Sequence, residues 1–303
     1  MRTGSGTTAA VGSDMTETLD LQTQPTAGGA SDAGESGDAT LHSVELGEAL
    51  RKDWIEFWYQ PKIDLRKKQL AGVEVLARAR HPQFGVLAPS VFMPGAAETE
   101  LVALAEQALA SALETGMNFS KLGLNLRFAV NMPVNALAKL AIADIVRNHC
   151  ARLDQWPGLI IDVTEAEIVA NLALAAAMAK QLAHVNVKLA IDDFGRGHSS
   201  LARLKELPFV ELKLDRSFVT DCGTDKINAP LCKTIIDLAH NFGSAAVAIG
   251  IEKASDALAL TRMGCDLGQG FLFGQPMPEE HLTSLLHQRA ACEGRAMPAT
   301  VVG

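Results

Sequence analysis

From Trp54 onward the chain alternates short strand-like runs with longer helix-like ones, a rhythm that leaves few folds open. The strand-like runs are Ile55–Asp64, Gln69–Arg80, Gly123–Met132, Gly158–Glu165, Val187–Asp193, Phe209–Asp215, Ala245–Glu252 and Asp266–Phe273. Helix-like segments are predicted between nearly all of them: Pro89–Gly116, Ala136–Leu153, Ile168–His184, a short one from Ser199, Lys226–Phe242 and Ala254–Met263, with a last one at Glu279–Gln288. About eight strands over roughly 240 residues fit a (β/α)8 TIM-like barrel, whose sites lie at the C-terminal ends of the strands. The first two strands are joined only by Arg66-Lys-Lys-Gln69. That is too short for a parallel crossover, so the first strand pair is predicted to be antiparallel and the barrel irregular at its start. An open doubly wound sheet is the alternative fold, but no Gly-rich phosphate loop follows the early strands.

The segment before this rhythm reads differently. Residues 1–42 are rich in Gly, Ser, Thr, Ala and Asp, with no apolar period. They cannot bury enough surface to offset the entropy of ordering, so a disordered acidic tail is expected. The barrel domain is expected over residues 43–288, led in by a helix at Ser43–Lys52, with a frayed C-terminal tail over 289–303. Of the net charge of -8, the first 48 residues carry -7. The rest is close to neutral and has no basic field to hold a nucleic-acid duplex. No apolar run approaches the ~18 residues of a membrane span, and no basic region followed by an apolar core marks a secretion signal. The five cysteines (Cys150, Cys222, Cys232, Cys265, Cys292) are scattered and form no C-x-x-C pair. This argues against a disulfide framework or structural zinc, and for a cytoplasmic location.

The strand ends carry the chemistry. Val187–Ile191 reads as a buried strand, and it ends in two adjacent carboxylates, Asp192 and Asp193. Such a pair is costly unless a cation neutralises it. The second strand holds Glu74 and Arg78, the third ends at Asn131, and the fourth carries Asp162 and Glu165. The sixth carries Lys213 and Asp215, the seventh ends at Glu252, and the eighth carries Gln269. In a barrel all of these meet at one rim. Hard oxygen donors without His or Cys suit Mg2+ or Mn2+ rather than zinc. Adjacent carboxylates can bridge two ions about 4 Å apart, an arrangement used for in-line displacement at phosphorus. Lys213 and Arg78 would then face phosphate or the attacking water. An enolase-like barrel with one Mg2+ and a lysine base fits the same residues.

Read as motifs, these residues bear a family resemblance. Tyr59-Gln60-Pro61, Glu74-Val75-Leu76 with Arg78, and Arg80-His81-Pro82 resemble the opening signature of the EAL domain. Val130-Asn131, Asp192-Asp193-Phe194-Gly195, Leu212–Val219 and Gly264-Cys-Asp…Gln269-Gly270 continue it in order, so that it covers roughly residues 54–288. The resemblance implies an irregular barrel that cleaves cyclic di-GMP to linear pGpG with two Mg2+ or Mn2+ ions. It implies that Glu74, Asn131 and Asp192 hold the first metal, with Asp162 where the family has Glu, and that Asp192 and Asp193 bind the second. Lys213 would hold the attacking water, completing a catalytic set with Glu74 and Asp193. Gln60, Arg78, Asp215, Glu252 and Gln269 would line the nucleotide. Glu165 would pin the loop Phe194–Ser200, which in this family helps form the second metal site and link it to dimerisation. A homodimer through the barrel and a protein partner are both compatible with the resemblance.

Three departures bear on turnover. The family's Glu-x-Thr-Glu is Asp162-Val-Thr-Glu165 here; Asp is shorter by one methylene, about 1.5 Å, a poor match for the tight octahedron of Mg2+. The loop reads Gly195-Arg-Gly-His-Ser-Ser200 where the family has Thr and Tyr. In Ala248-Ile-Gly-Ile-Glu252, Ile249 replaces the carboxylate that serves the second metal and its water. The expected function is cyclic di-GMP binding on a phosphodiesterase architecture, with turnover impaired and the second metal site weakened. The other two readings are an active Mg2+- or Mn2+-dependent phosphodiesterase and a non-catalytic protein-interaction barrel.

Overall fold

A computed structural model describes residues 44–150, 156–196 and 204–292. The expected acidic tail over 1–42, the far part of the Phe194–Ser200 loop, the helix start at Ser199 and the chain from 293 onward lie outside the described residues.

Among the described residues nine strands form one sheet: β1 (Ile55–Asp64), β2 (Gln69–His81), β3 (Gly85–Leu87), β4 (Arg127–Asn131), β5 (Leu159–Thr164), β6 (Val187–Phe194), β7 (Phe209–Leu214), β8 (Ala245–Ile249) and β9 (Leu267–Gln269). Their order is β1-β9-β8-β7-β6-β5-β4-β2-β3, and β1 also pairs with β2, so eight strands close into a barrel with β3 outside it. The barrel strands are parallel except β1, which runs antiparallel to both β2 and β9. This is the irregular start expected from the short first connection. The turn is made locally: Asp64 Oδ1 accepts the amides of Arg66 and Lys67 at 3.0 and 2.8 Å, and Lys68 takes a left-handed φ of 54°.

Alternation along the strands sets two layers. Val73 and Val75, Phe128 and Val130, Leu159 and Ile161, Val187 and Leu189, Leu212 and Leu214, and Ala246 and Ala248 join the main core beneath the helices. Their neighbours face the barrel interior, where Ala129, Ile160 and Ala190 pack together with Val210. Also buried there, Lys62 pairs with Glu211 at 2.5 Å. Gly72 on β2 has no room for a side chain, since a Cβ would lie 2.6 Å from the Arg127 carbonyl oxygen on β4.

Several helices differ from the sequence expectation. The predicted helix Pro89–Gly116 is two, α2 (Pro89–Phe92) and α3 (Glu98–Lys121), because Pro94 and Gly95, the latter at φ 78°, interrupt it. Ala136–Leu153 is replaced by α4 (Val134–Lys139) and α5 (Ile142–His149), divided at Leu140, whose backbone is extended. Ile168–His184 becomes α6 (Glu165–Ala170) and α7 (Leu172–Leu182), separated by Asn171, with a 3-10 turn at Ala183–Val185. Among the described residues the other helices include α1 (Leu46–Arg51), α8 (Arg216–Val219), α9 (Asn228–Asn241), α10 (Ala254–Met263) and α11 (Glu279–Cys292).

The third strand begins four residues later than expected, because Gly123 and Leu124 still bond back to α3 through Ser120 and Phe119. The seventh ends at Ile249, where Gly250 turns left-handed at φ 75°. The eighth ends at Gln269, before a turn closed by the Phe273 amide on the Gly270 carbonyl. Among the described residues, no helix is long and apolar enough to cross a membrane.

Candidate functional site

At the C-terminal mouth of the barrel, interior positions of its eight strands converge. Lys213 on β7 is the centre. Its Nζ lies 2.7 Å from Asp162 Oδ2 on β5, 2.9 Å from Asp192 Oδ2 on β6 and 3.5 Å from Glu74 Oε2 on β2. Around Glu74, Asn131 Nδ2 donates to Oε1 at 2.7 Å and Gln269 Nε2 to Oε2 at 2.7 Å. Gln269 Nε2 also donates to Gln60 Oε1 at 2.9 Å, and Gln60 in turn donates to the Gly274 carbonyl at 3.1 Å. The register explains the gathering: Gln60 faces Glu74 across β1 and β2, Glu74 sits beside Ala129, and Asn131 sits beside Asp162. Ile249 is the β8 partner of Gln269. Since Ala246 and Ala248 belong to the helix layer, alternation turns Ile249 inward.

The electrostatics follow from burial. Burial pushes the Asp162 carboxyl up to about 7, with Glu74 and Asp192 adding to the rise and Lys213 opposing it. Burial acts the same way on Glu74, but Lys213 and the Asn131 and Gln269 amides outweigh it and hold Glu74 below the ordinary carboxylate value. The contrast has a geometric cause: both Glu74 oxygens accept amide donors, whereas buried Asp162 Oδ1 has no partner among the described residues. Burial works against the charge on Lys213, yet its three carboxylates keep its pKa well above the usual lysine value.

This donor set fits a divalent cation. Glu74, Asp162 and Asp192 each offer an oxygen, and these oxygens lie within 4.8 Å of one another. One ammonium does not balance three carboxylates, and the unpartnered Asp162 Oδ1 leaves a lone pair for a metal. Oxygen-only ligation matches Mg2+ or Mn2+.

The remaining predicted site residues lie at the periphery. Asp193 follows directly in sequence but takes a left-handed φ of 53° and stands on the rim, its carboxylate 3.7 Å from Arg196 Nη1. Burial, then Asp192 and Asp215, raise its pKa, and Arg196 moderates the rise. Asp215 caps α8 through Ser217, and Glu252 pairs with Arg216 at 2.6 Å. Arg78 is half-buried against Trp58. Glu165 accepts the Gly195 amide at 2.8 Å, and so ties the start of α6 to the end of β6.

Sequence reading did not single out Trp58, Glu56 or Lys62. The available signal was the period of two along β1, which places Glu56, Trp58 and Lys62 on the same face as Gln60.

Comparison with known proteins bears on this geometry. The matching family is the EAL domain, over residues 43–276. The bifunctional diguanylate cyclase/cyclic di-GMP phosphodiesterase MucR of Pseudomonas aeruginosa is 36% identical over 241 residues, covering 78% of this chain and 35% of that protein. The cyclic di-GMP phosphodiesterase RocR of the same organism is 35% identical over 246 residues, covering 80% and 63% respectively. The chain therefore spans less than two thirds of either relative. Among solved structures, the PaMucR phosphodiesterase in complex with c-di-GMP has a TM-score of 0.71 at 36% identity, covering 78% of this chain and 97% of that one. The manganese/cy-diGMP complex of Klebsiella pneumoniae BlrP1 has a TM-score of 0.64 at 26% identity, covering 75% and 57%.

Proposed function

The chain belongs to the EAL domain family, and from that membership we propose that it binds cyclic di-GMP at the mouth of its barrel but converts it only slowly to linear pGpG. The observation that carries this reading is the buried cluster of Glu74, Asp162 and Asp192 around Lys213, with Ile249 beside Gln269 on the same interior face.

Glu74, Asn131, Asp162 and Asp192 would hold the first Mg2+ or Mn2+, and Asp192 and Asp193 the second. When bound, the metal polarises the phosphate and makes a bound water a stronger acid. Lys213 would orient the attacking water and offset charge developing on the phosphate. Arg78 would supply hydrogen-bond donors at the mouth, Gln60 and Gln269 would line the nucleotide, Gln269 through its unpartnered Oε1, and Asp215 and Glu252 stand farther out on the rim. Glu165 steadies the end of β6 that carries Asp192 and Asp193.

Ile249 can neither coordinate a cation nor accept a proton. Removing a group with either role commonly costs ~10²–10⁴-fold in rate, while Arg78, Gln60 and the first-metal residues remain to support binding. The test is to incubate the protein with cyclic di-GMP and Mg2+ or Mn2+, measuring binding by calorimetry and pGpG release by chromatography. Binding with slow release is the expected result. Rapid release in Mg2+ would instead make it an active phosphodiesterase. Absence of binding would point to the protein-interaction barrel.

A further inference from the structure

Next to the metal cluster, the antiparallel pair β1–β2 carries a second polar arrangement along its interior-facing positions. The register sets Gln60 opposite Glu74, Trp58 opposite Leu76 and Glu56 opposite Arg78. Arg78 thus stands four residues beyond Glu74, about 13 Å along the strand at ~3.3 Å per residue. Its guanidinium carbon lies 5.4 Å from the centroid of the Trp58 ring, within cation–π range. The indole N–H donates to Glu56 Oε1 at 2.8 Å. Glu56 is in turn clamped by Arg80, with Nε on Oε2 at 2.7 Å and Nη2 on Oε1 at 2.9 Å. The ring is therefore fixed by a carboxylate that another arginine holds.

Arg78 itself forms no ion pair among the described residues, and Glu56 spends both oxygens on Arg80 and Trp58. Of the five N–H donors of Arg78, one is engaged among the described residues, by Nη1 to the Ala77 carbonyl at 2.7 Å. A half-buried guanidinium with most donors free is set up for an anion. A flexible arginine would lose that readiness to rotamer freedom, and a fixed aromatic face beneath it limits the loss.

We infer that Trp58 is a positioning residue, anchored through Glu56 to Arg80, that holds the Arg78 guanidinium at the barrel mouth to receive a phosphodiester group of the nucleotide. This rests on the cyclic di-GMP reading above.

The experiment is a double-mutant cycle read by calorimetry, with cyclic di-GMP and Mn2+ as probes. Trp58→Leu should weaken binding by more than about twofold and up to ~30-fold, the span of cation–π contacts. Trp58→Phe, which keeps an aromatic face, should recover part of the loss and guards against misfolding of the leucine variant. On an Arg78→Ala background, Trp58→Leu should change affinity by less than about twofold, because the group it positions is gone. Equal losses on both backgrounds would overturn the inference and make Trp58 a direct contact to the nucleotide. Unchanged affinity in Trp58→Leu, with the parent binding normally, would overturn it as well. If the parent itself binds no cyclic di-GMP, the functional reading fails and this inference falls with it, an outcome distinct from the other two.

Discussion

At the scale of single side chains, Lys213 and Ile249 set opposite conditions on one cluster: Lys213 supplies a cation to three carboxylates, two of them buried, and Ile249 withholds a fourth. Without divalent metal, the Lys213 ammonium is the nearest positive charge to Asp162 and Asp192. Lys213→Met would leave buried like charges uncompensated, so a loss of about 3–5 kcal/mol is expected in metal-free buffer, read from urea unfolding. Added Mn2+ should return part of it, since a ligand that binds only the folded state stabilises that state. A variant as stable as the parent without metal would show that the cluster is not held by Lys213. Ile249→Glu works the other way. It should raise pGpG formation at least about tenfold, roughly 1.4 kcal/mol of barrier, with Asp162→Glu adding to this in Mg2+. It should also gain more melting temperature from Mn2+ than the parent does, because an unpaired buried Glu is destabilising. A well-folded Ile249→Glu that is no faster would remove Ile249 as the brake. Lys213 was recognisable in the sequence as one of the polar strand-end residues, and Ile249 only as a departure from the family motif. The insertion of Lys213 between three carboxylates was not, because side-chain reach across a barrel depends on register that no local pattern encodes.

At the scale of elements, one side chain ties the start of α6 to the residue that follows β6. Glu165 is the first residue of α6, where a carboxylate also suits the helix dipole, and it accepts the Gly195 amide at 2.8 Å. Gly195 has a φ of 98°, and a Cβ there would meet Phe218 at 2.6 Å, so this backbone turn admits little but glycine. Glu165→Ala removes a charge-assisted bond of the kind worth ~1.5–3 kcal/mol. Amide exchange at Gly195 and Phe194 should speed up markedly, and Mn2+ affinity should fall with it through Asp192 and Asp193. Unchanged exchange at Gly195 would show that the loop is held by other contacts. The sequence made this tie legible only through the family motif. Elements with strong periodicity and short connections, such as β1–β2 around Asp64–Gln69, were read directly. The helix breaks at Leu140 and Asn171 were not, because neither position carries the proline or glycine that marks a break in sequence. The β3 hairpin escaped notice because a three-residue strand is too short to show a period.

At the scale of the molecule, α1 packs against the barrel's first elements, and we propose that the folding unit begins there. Val44, Leu46 and Ala49 are buried against Ala79, Phe92 and Leu104, and the Trp54 amide bonds back to the Ala49 carbonyl at 2.9 Å. The residues before Ser43 are polar and acidic, without the apolar period needed to join such a cluster. A chain beginning at Ser43 is therefore expected to melt within a few degrees of the full chain. A chain beginning at Trp54 loses one large aliphatic side chain, Leu46, in addition to Val44 and Ala49. At roughly 1.5–3 kcal/mol for burying each of Val44 and Leu46, and about 2–4 °C per kcal/mol for a domain of this size, it should melt at least ~5 °C lower. It should also expose the Phe92–Leu104 surface to a hydrophobic dye. Calorimetric melting of the three chains, side by side, separates the cases. If the chain from Ser43 falls as far as the chain from Trp54, the preceding segment contributes to the fold and the proposed boundary is wrong. If neither falls, α1 is an appendage, and the cluster it forms with α3 adds little to the barrel.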